Sequence, residues 1–281
     1  MTKKILILGS EGQIGNHLKE YLSKKKYKVL EFDLIRSRFE DLRLNKNKNL
    51  ILKVKKCDFI FFLAFDVGGS RYLKKYQNTY EFISNNIKIM ENTFKIIKKY
   101  KKPFLFASSQ MSNMSFSPYG LLKNIGEKYS EILGGLVVKF WNVYGVEKDL
   151  TKSHVITDFI LMAIKNNKIK MLTNGQEKRD FLYVEDCCEG LEQIYINFNK
   201  IKKIKKSVDL TTGKFTSIIN IAKIIKKLLK KNNFKIEPAK NKDIVQMDKR
   251  NEPDMFLKKY WKPRFSLKTG IQEIIKYHNL K

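Results

Sequence analysis

The chain has 281 residues, of which 43% are hydrophobic and 12% aromatic, so its composition excludes an intrinsically disordered protein and allows one large domain or two modest ones. Its formal net charge of +29 by itself suits a polyanionic partner such as nucleic acid. Only seven of the 57 basic residues are arginine, however, and proteins that read base sequence rely on arginine for bidentate contacts. Lysine is spread along the whole chain together with many Asn and Ile residues. We therefore interpret the charge as compositional and expect no nucleic-acid partner.

The apolar runs and the cysteines indicate the cellular compartment in which the protein is expected. The apolar run that follows the basic start of the sequence is only four residues long, too short for the core of a signal peptide. The longest apolar stretch, residues 59–65, is too short to span a bilayer and fits a strand that is buried on both faces. Cys57, Cys187 and Cys188 are odd in number and have no metal-binding spacing. We expect a cytoplasmic protein without disulfides, a bound metal or a membrane segment.

Short apolar runs alternate with helical patterns over the first half of the chain. The predicted strands there are 4–9, 28–33, 57–65, 103–109 and 135–145, and the predicted helices are 13–25, 78–100 and 119–133. Beyond about residue 150 the pattern changes to helices at 154–167, 185–199, 217–231 and 267–278, with short strands at 169–172 and 207–210. Alternation of the first kind predicts a parallel sheet with helices on both faces. The second half then forms a smaller α/β portion.

A glycine-rich turn, GSEGQIG, follows the first predicted strand and opens the first predicted helix. The first glycine permits a tight turn, the second lets backbone approach a pyrophosphate, and the third lets the helix pack close to the strand. The phosphates would then meet free N–H groups at a helix N-terminus, where the helix dipole favours anions. The candidate cofactor-binding residues of this turn are Gly9, Gly12, Gln13, Ile14 and Gly15.

The end of the second predicted strand bears on which dinucleotide is bound. Asp33 stands there, about where an acidic residue holds the 2′-hydroxyl of the adenosine ribose. A carboxylate at this place repels a 2′-phosphate, so the sequence favours NAD over NADP. Arg36 and Arg38 follow closely and argue in the opposite direction, which keeps NADP as the less favoured alternative.

A tyrosine and a lysine are spaced by one helical turn in the segment SPYGLLKNIGEKY. Tyr119 precedes Lys123 by four residues, and the strand before this helix ends in Ser108 and Ser109. In isolation such a pair is an ordinary surface pair on a helix. Its place after that strand, in a chain with a dinucleotide-type turn, favours a catalytic role for Ser109, Tyr119 and Lys123.

With these features together, the chain resembles the extended short-chain dehydrogenase/reductase family, and more closely its NAD-dependent epimerase/dehydratase group, which acts on nucleotide sugars. Further segments resemble that group in the same order along nearly the whole chain. They are NNIKIMEN (85–92), KFWNVYG (139–145), GQEKRDFLYVEDC (175–187), DKRNEPD (248–254) and YWKPRFSLKTGIQEII (260–275). The resemblance implies a Rossmann-type doubly wound parallel sheet in an NAD-binding domain, residues 1–150, to which residues of about 175–215 contribute back. It implies a smaller C-terminal α/β substrate-binding region in residues 151–281.

The resemblance also implies roles for the catalytic residues. Tyr119 would be the acid/base, Lys123 would favour its phenolate and bind the nicotinamide ribose, and Ser109 would hydrogen-bond the reacting oxygen of the substrate. It further places Asp41 and Leu42 at the adenine.

At the end of the third strand the resemblance places Leu63 and Ala64 beside the cofactor. Phe62 stands in that strand where the family has a histidine.

The substrate would be a nucleotide-diphosphate sugar. The implied substrate-binding residues are Ser109, Gln110, Asn142, Arg179 and Arg250. Arginine suits a diphosphate because its planar fork binds two oxygens at once. The alternative for Arg179 is an ion pair with Asp180 or Asp186 that braces the junction between the two regions.

Two departures from the family pattern narrow the reaction. The 4,6-dehydratases of the family carry Asp-Glu directly after the catalytic residue, whereas this chain has Gln110 and Met111, which disfavours dehydration. Tyr119 also follows Ser109 by only ten residues, fewer than the family loop, so Ser112 becomes a rival for the serine role. The sugar pocket is then open or filled by another element such as DVGGSRY (66–72), whose two glycines resemble a loop of GDP-sugar epimerase-reductases.

Three functions follow as hypotheses. The leading one is an NAD-dependent nucleotide-sugar epimerase that acts at sugar carbon 4 through a 4-keto species. The second is an NAD(P)H-dependent reductase of nucleotide 4-keto sugars, and the third is a catalytically silent protein that senses NAD. The resemblance also implies a homodimer in which the helices at 78–100 and 119–133 form a four-helix bundle, and a place in bacterial surface-polysaccharide synthesis.

Overall fold

The computed structural model describes residues 2–231, 233–245 and 251–279, and it has a central sheet between helices. The strands are β1 (Lys4–Leu8), β2 (Lys28–Phe32), β3 (Phe59–Phe62), β4 (Phe104–Ser109), β5 (Leu136–Phe140), β6 (Asn142–Tyr144), β7 (Lys168–Lys170), β8 (Lys178–Tyr183), β9 (Ser207–Leu210), β10 (Phe215–Ser217) and β11 (Lys235–Glu237). The helices are α1 (Gln13–Lys24), α2 (Lys48–Lys56), α3 (Ser70–Tyr76), α4 (Tyr80–Tyr100), α5 (Pro118–Ile132), α6 (Val155–Asn166), α7 (Val184–Ile196), α8 (Phe198–Ile204), α9 (Ile218–Leu229) and α10 (Leu267–Asn279). Short 3-10 helices lie at Arg38–Glu40, Gln110–Asn113, Leu150–Lys152 and Met255–Lys259.

The main sheet has six strands in the order β2-β1-β3-β4-β5-β9. All of its neighbouring strands are parallel. The chain runs from β1 to one side and returns to the other side with β3, so a crevice opens outside the carboxyl ends of these two strands. This topology confirms the predicted α/β fold with a Rossmann-type doubly wound parallel sheet.

The central strands are buried on both faces, which explains their continuous apolar sequences. Ile5 and Ile7 of β1 pack into one hydrophobic cluster, whereas Leu6 and Leu8 pack into another. Successive residues of a strand point to opposite faces of the sheet, so the two clusters lie under the two helical layers.

The predicted strand at 135–145 is divided at Trp141 into two strands of different sheets. The Trp141 indole Nε1 donates a hydrogen bond to Asp209 Oδ1 at 3.0 Å. Beyond this residue, β6 leaves the main sheet and pairs in parallel with β8, which itself pairs antiparallel with β10. The chain is thereby led from the main sheet into the C-terminal region directly beside the crevice.

Two buried carboxylates of the segment 175–187 fasten that region. Asp180 accepts hydrogen bonds from the Gly213 N–H at 2.7 Å and from the Thr212 hydroxyl at 2.6 Å. Asp186 accepts the backbone N–H groups of residues 264 and 265, both at 2.9 Å. Each carboxylate therefore ties β8 or α7 to a segment distant in sequence.

Among the residues that the structure describes, no helix is both long and apolar enough to cross a bilayer. Cys57, Cys187 and Cys188 are buried free thiols. Within the same described ranges, His, Cys, Asp and Glu side chains form no group of three that could hold a metal ion.

Candidate active site

A cavity of about 610 Å³ lies over the carboxyl ends of the main-sheet strands. All the predicted catalytic and cofactor-binding residues line it, and so do Gln110 and Asn142. The Asn142 side chain donates to the backbone oxygen of Asp180 at 3.2 Å, which fixes it at the start of β6. The cavity is thus bounded by the glycine-rich turn at one end and by residues of the strand that leaves the main sheet at the other.

The glycine-rich turn has the shape that a pyrophosphate requires. Gly9 has a φ of +86°, and a Cβ atom at Gly15 would lie 2.0 Å from the carbonyl oxygen of Gly9. The first turn of α1 contains no acidic residue, and Gly12 caps the helix without a side chain. The first N–H groups of a helix lack intrahelical partners, and the buried Gln13 Nε2 finds no hydrogen-bond partner among the described residues. These donors, together with the close backbone approach, fit the phosphates of a dinucleotide.

At the adenosine end of the cavity, two carboxylates are held in fixed positions. Asp33 accepts the backbone N–H of Glu11 at 2.9 Å and that of Ile35 at 3.0 Å. Arg43 forms an ion pair with Asp41, and its Nη2 lies 2.7 Å from Asp41 Oδ2. Burial raises the pKa of Asp41, but the hydrogen bonds from Arg43 outweigh it and leave that pKa below its ordinary value.

The segment after β3 is positioned by one buried asparagine of α4. Asn86 accepts the N–H of Asp66 at 2.7 Å and donates to the oxygen of the same residue at 3.1 Å. Phe62, which stands where the family has a histidine, is fully buried. Its ring centroid lies 5.2 Å from that of Phe94 and 5.3 Å from that of Phe106. This position is therefore a packing position in this chain.

Tyr119 and Lys123 both lie on the buried face of α5. The helix begins at Pro118, and the Ser117 hydroxyl caps it by accepting the N–H of Gly120 at 3.2 Å. Lys123 Nζ donates to the carbonyl oxygen of Ala107 at 2.6 Å. The same Nζ lies 5.8 Å from the centroid of the Tyr119 ring. The first turn of α5 thus brings the phenol and the ammonium together at the end of β4.

Burial dominates the protonation of both groups. It lowers the pKa of Lys123 to about 7, while the negative charge of Glu127 acts in the opposite direction. Burial raises the pKa of Tyr119 to about 12, and a hydrogen bond with Ser109 acts against it. In this structure the pKa of Tyr119 therefore lies above that of a free phenol. The reason is that a buried phenolate loses more hydration than the neighbouring groups replace.

Glu127 is a site neighbour that the sequence analysis missed. Its carboxylate is buried, accepts the Ser108 hydroxyl at 2.5 Å and lies 3.3 Å from Lys139 Nζ. It stands four residues after Lys123, just as Lys123 stands four after Tyr119, so all three share one face of α5. That repeated spacing was the sequence signal that could have found it.

The short connection between Ser109 and Tyr119 is a single 3-10 turn. The Ser109 hydroxyl accepts the N–H of Met111 at 3.1 Å. From the C-terminal region, Asn251 Nδ2 donates to Gln110 Oε1 at 3.1 Å. Ser112, the alternative serine, is buried and does not line the cavity. Asn251, which lies far along the sequence, therefore covers part of the space that a longer loop between Ser109 and Tyr119 would cover.

The two predicted substrate arginines are placed differently. Arg179 does not line the cavity; its Nη2 forms an ion pair with Asp243, and its Nη1 donates to the oxygen of Lys178 at 2.8 Å. The sequence-based alternative of an ion pair with Asp180 or Asp186 is not observed, since both carboxylates hold backbone groups. Arg250 lies outside the described residues.

A histidine and a glutamate that line the cavity were also missed. His154 Nδ1 lies 2.6 Å from Glu147 Oε1, and its backbone N–H donates to Oε2 at 3.0 Å. Burial lowers the pKa of His154, but the Glu147 carboxylate outweighs this and raises it above 6.5. Their separation of seven residues, across a turn and a 3-10 helix, gives no periodic signal in the sequence.

The loop that contains Gly68 and Gly69 packs against this histidine. A Cβ at Gly69 would lie 2.2 Å from the Ser153 oxygen, and the Gly69 N–H donates to the Lys152 oxygen at 2.9 Å. The two glycines thus allow the segment after β3 to close against residues 152–154.

Comparison with known proteins gives a consistent picture. Among curated proteins, the uncharacterized UDP-glucose epimerase YtcB of Bacillus subtilis is 25% identical, and the match covers 79% of this chain and 81% of that protein. The solved structure of UDP-glucose 4-epimerase from Thermotoga maritima with UDP-glucose has a TM-score of 0.79 at 19% identity, with 99% of both chains covered. A GDP-6-OMe-4-keto-L-xylo-heptose reductase from C. jejuni has a TM-score of 0.83 at 18% identity, with 99% of this chain and 98% of that chain covered.

At these identities the likeness to the two solved structures shows the fold. Curated relatives of the chain include proteins named as a UDP-glucose epimerase and as a decarboxylase of UDP-N-acetyl-α-D-glucosaminuronate. The sequence of residues 5–206 matches the NAD dependent epimerase/dehydratase family. Because this match covers well over half of the chain, the protein belongs to the NAD-dependent epimerase/dehydratase family.

Proposed function

We propose that the protein is an NAD-dependent nucleotide-sugar epimerase that inverts sugar carbon 4 through a 4-keto species. The observation that carries the proposal is the meeting of Ser109, Tyr119 and Lys123 with the glycine-rich turn in one cavity. A dinucleotide seated on that turn and a sugar beside the phenol would share this space. The family match and the relatives that act on UDP-sugars support the same class of substrate.

When bound, NAD supplies an acceptor and donor for the hydride. The residues of the chain then handle the proton. Tyr119 Oη would take the proton of the sugar hydroxyl and later return it, while the Ser109 hydroxyl would hold the same oxygen as it alternates between alcohol and ketone. Protonated Lys123 would offset the cost of a buried phenolate, whose pKa of about 12 otherwise keeps Tyr119 neutral at physiological pH.

The substrate region is proposed to be residues 151–281, as the sequence analysis divided the chain. Arg179 could grip a diphosphate only by exchanging Asp243 for it, and Arg250 is proposed as the second arginine. Gln110 lines the cavity next to Ser109 but cannot act as a base, which argues against a 4,6-dehydratase.

The test is turnover of candidate UDP-, GDP-, CDP- and dTDP-sugars with absorbance followed near 340 nm and the sugar products identified. An epimerase gives the inverted sugar without net change in cofactor. Tyr119→Phe is expected to abolish turnover and keep dinucleotide binding. Tyr129→Phe is the matched control, because Tyr129 lies on the same helix and is exposed. Full turnover by Tyr119→Phe would refute the assignment, and a wild-type chain that binds NAD without any turnover would point to the cofactor-sensing alternative.

A second candidate is a reductase of nucleotide 4-keto sugars, because Ser109, Tyr119 and Lys123 would serve it in the same cavity. Such a reductase would take one hydride from the bound cofactor and one proton, which Tyr119 Oη would donate to the carbonyl oxygen. Net loss of NADH or NADPH with a keto-sugar substrate would identify this activity.

We further propose a cytoplasmic homodimer formed by α4 and α5, in a bacterium's surface-polysaccharide synthesis. These two helices pack together and leave apolar side chains exposed at Ile87, Leu121, Ile125 and Ile132. Exposed apolar patches on paired helices are typical of isologous interfaces. Ile125→Asp is expected to give a monomer in analytical ultracentrifugation, whereas a wild-type chain that is itself monomeric would refute the dimer.

A further inference from the structure

The adenosine end of the cavity is acidic although the chain as a whole carries +29. Three glutamates, here named the acidic cluster, lie around Asp33: Glu11, Glu31 and Glu40. Glu11 and Glu40 line the cavity, as Asp33 does. The Asp33 N–H donates to Glu40 Oε2 at 3.2 Å, and Asp33 Oδ2 accepts the N–H of Glu11, so the cluster and the aspartate form one hydrogen-bonded unit.

Arg36 lies three residues after Asp33 and forms ion pairs with this cluster. Its Nη1 is 2.5 Å from Glu31 Oε2 and 3.8 Å from Glu11 Oε1. Its Nε is 3.5 Å from Glu40 Oε2. Residues 33–35 line the cavity and Arg36 does not.

The other cations nearby are engaged in the same way. Lys19 forms ion pairs with Glu11 and, at 3.2 Å, with Glu31. Lys53 pairs with Glu40, and Arg38 lies over the ring of Phe39 at 4.9 Å, away from the cavity. The cations that the described structure places around Asp33 are thus neutralised by carboxylates or directed elsewhere.

We propose that the acidic cluster, chiefly Glu31, sequesters Arg36 and thereby makes the site select NAD over NADP. The inference rests on the proposed use of a dinucleotide and goes beyond it, because it assigns the selectivity to residues other than Asp33. An arginine just beyond the second strand is the group that ordinarily accommodates a 2′-phosphate, since its fork matches phosphate oxygens. Here that group is present, and its donors are already used.

The charge arithmetic favours this role. Lys19, Arg36 and Lys53 offset the three glutamates, so a 2′-phosphate at the adenosine ribose would meet the Asp33 carboxylate, which no ion pair in the described structure offsets. Removal of Glu31 would take away the shortest contact of Arg36 and leave only its contacts of 3.5 Å and 3.8 Å with Glu40 and Glu11, which line the cavity. The guanidinium could then turn toward the cavity. The change acts on a group that only NADP carries, so NAD binding is expected to be nearly unaffected.

The experiment is a fluorescence titration of the full chain with NADH and with NADPH. Wild type is expected to bind NADH more tightly, and Glu31→Gln to tighten NADPH binding by about tenfold with less than a twofold change for NADH. Glu31→Gln/Arg36→Gln is expected to lose that gain, and Arg36→Gln alone to leave NADPH binding as in wild type. Glu11→Gln removes another carboxylate contact of Arg36 and is likewise expected to tighten NADPH binding. Glu189→Gln is the matched control, because Glu189 pairs with Arg264 at 3.0 Å and does not line the cavity.

An unchanged NADPH-to-NADH ratio in Glu31→Gln and Glu11→Gln would overturn the inference, as would a gain that persists without Arg36. A wild-type chain that prefers NADPH would overturn it as well and leave a dinucleotide-dependent function standing. If wild type bound neither dinucleotide, the proposed function itself would fall, and the inference with it.

Discussion

Replacement of Lys123 by methionine should make the protein more stable while removing its activity. Lys123 is only 3% exposed, and burial lowers its pKa from 10.5 to about 7. That difference corresponds to about 5 kcal/mol of lost stability when the group is charged in both states. The methionine variant also loses the hydrogen bond from Lys123 Nζ to the Ala107 oxygen, which reduces its gain in stability by about 1 kcal/mol. Lys123→Met should therefore raise the free energy of unfolding by about 4 kcal/mol at pH 6.

The stability advantage of Lys123→Met over wild type must shrink as the pH rises. Between pH 7 and 10.5 the unfolded chain keeps the proton of Lys123 and the folded chain loses it, so the stability of wild type increases with pH. At pH 9 about 2 kcal/mol of the penalty remains, which leaves Lys123→Met ahead by only about 1 kcal/mol.

Urea unfolding of both proteins at pH 6, 7.5 and 9 measures this difference. Lys128→Met is the matched control, since Lys128 lies on the same helix with 65% of its side chain exposed, and it should show no such gain. The reasoning would be refuted if Lys123→Met were less stable than wild type at pH 6, or if the gap between them did not narrow by pH 9.

Three further outcomes follow from single contacts. Gly15→Ala should abolish NADH binding in a fluorescence titration and lower the melting temperature, because the new Cβ would lie 2.0 Å from the Gly9 oxygen; normal binding would contradict the geometry of the turn. Asp180→Asn should cost about 2–4 kcal/mol in urea unfolding, since an amide cannot accept all the donors of loop 211–213. Glu127→Gln should move the alkaline limb of the pH–activity profile to lower pH, because this carboxylate holds the pKa of the catalytic lysine up; an unmoved limb would exclude that role.

The parts of the fold that local sequence determines were predicted well. Strands β1, β3 and β4 were recognisable because burial on both faces demands an unbroken apolar run. Helix α2 escaped notice because lysines dominate it and only Leu50 and Val54 of its residues are buried. Strand β8 begins with Lys178 and Arg179, and it is a strand because β6 and β10 pair with it, which no local pattern reports.

The site residues likewise divide into those that a local sequence pattern predicts and those that only the folded chain reveals. The glycine-rich turn and the Tyr119–Lys123 spacing are each contained in one turn and one helix, so their sequence sufficed to place them at the cavity. The ion pair of Arg179 with Asp243 joins residues 64 positions apart and could be read only from the folded chain. The height of the Tyr119 pKa was likewise beyond the sequence, because it depends on how completely the surrounding elements exclude water.

The contact of Asn251 with Gln110 has a consequence for how this enzyme can change. The proposed sugar pocket is contacted on one side by Asn251 of the C-terminal region, whereas Tyr119 and Lys123 lie on α5. Under the proposed function, substitutions near Asn251 are expected to change the accepted sugar and to leave proton transfer by Tyr119 unchanged. New substrate preferences could then arise from changes in one short stretch of the chain.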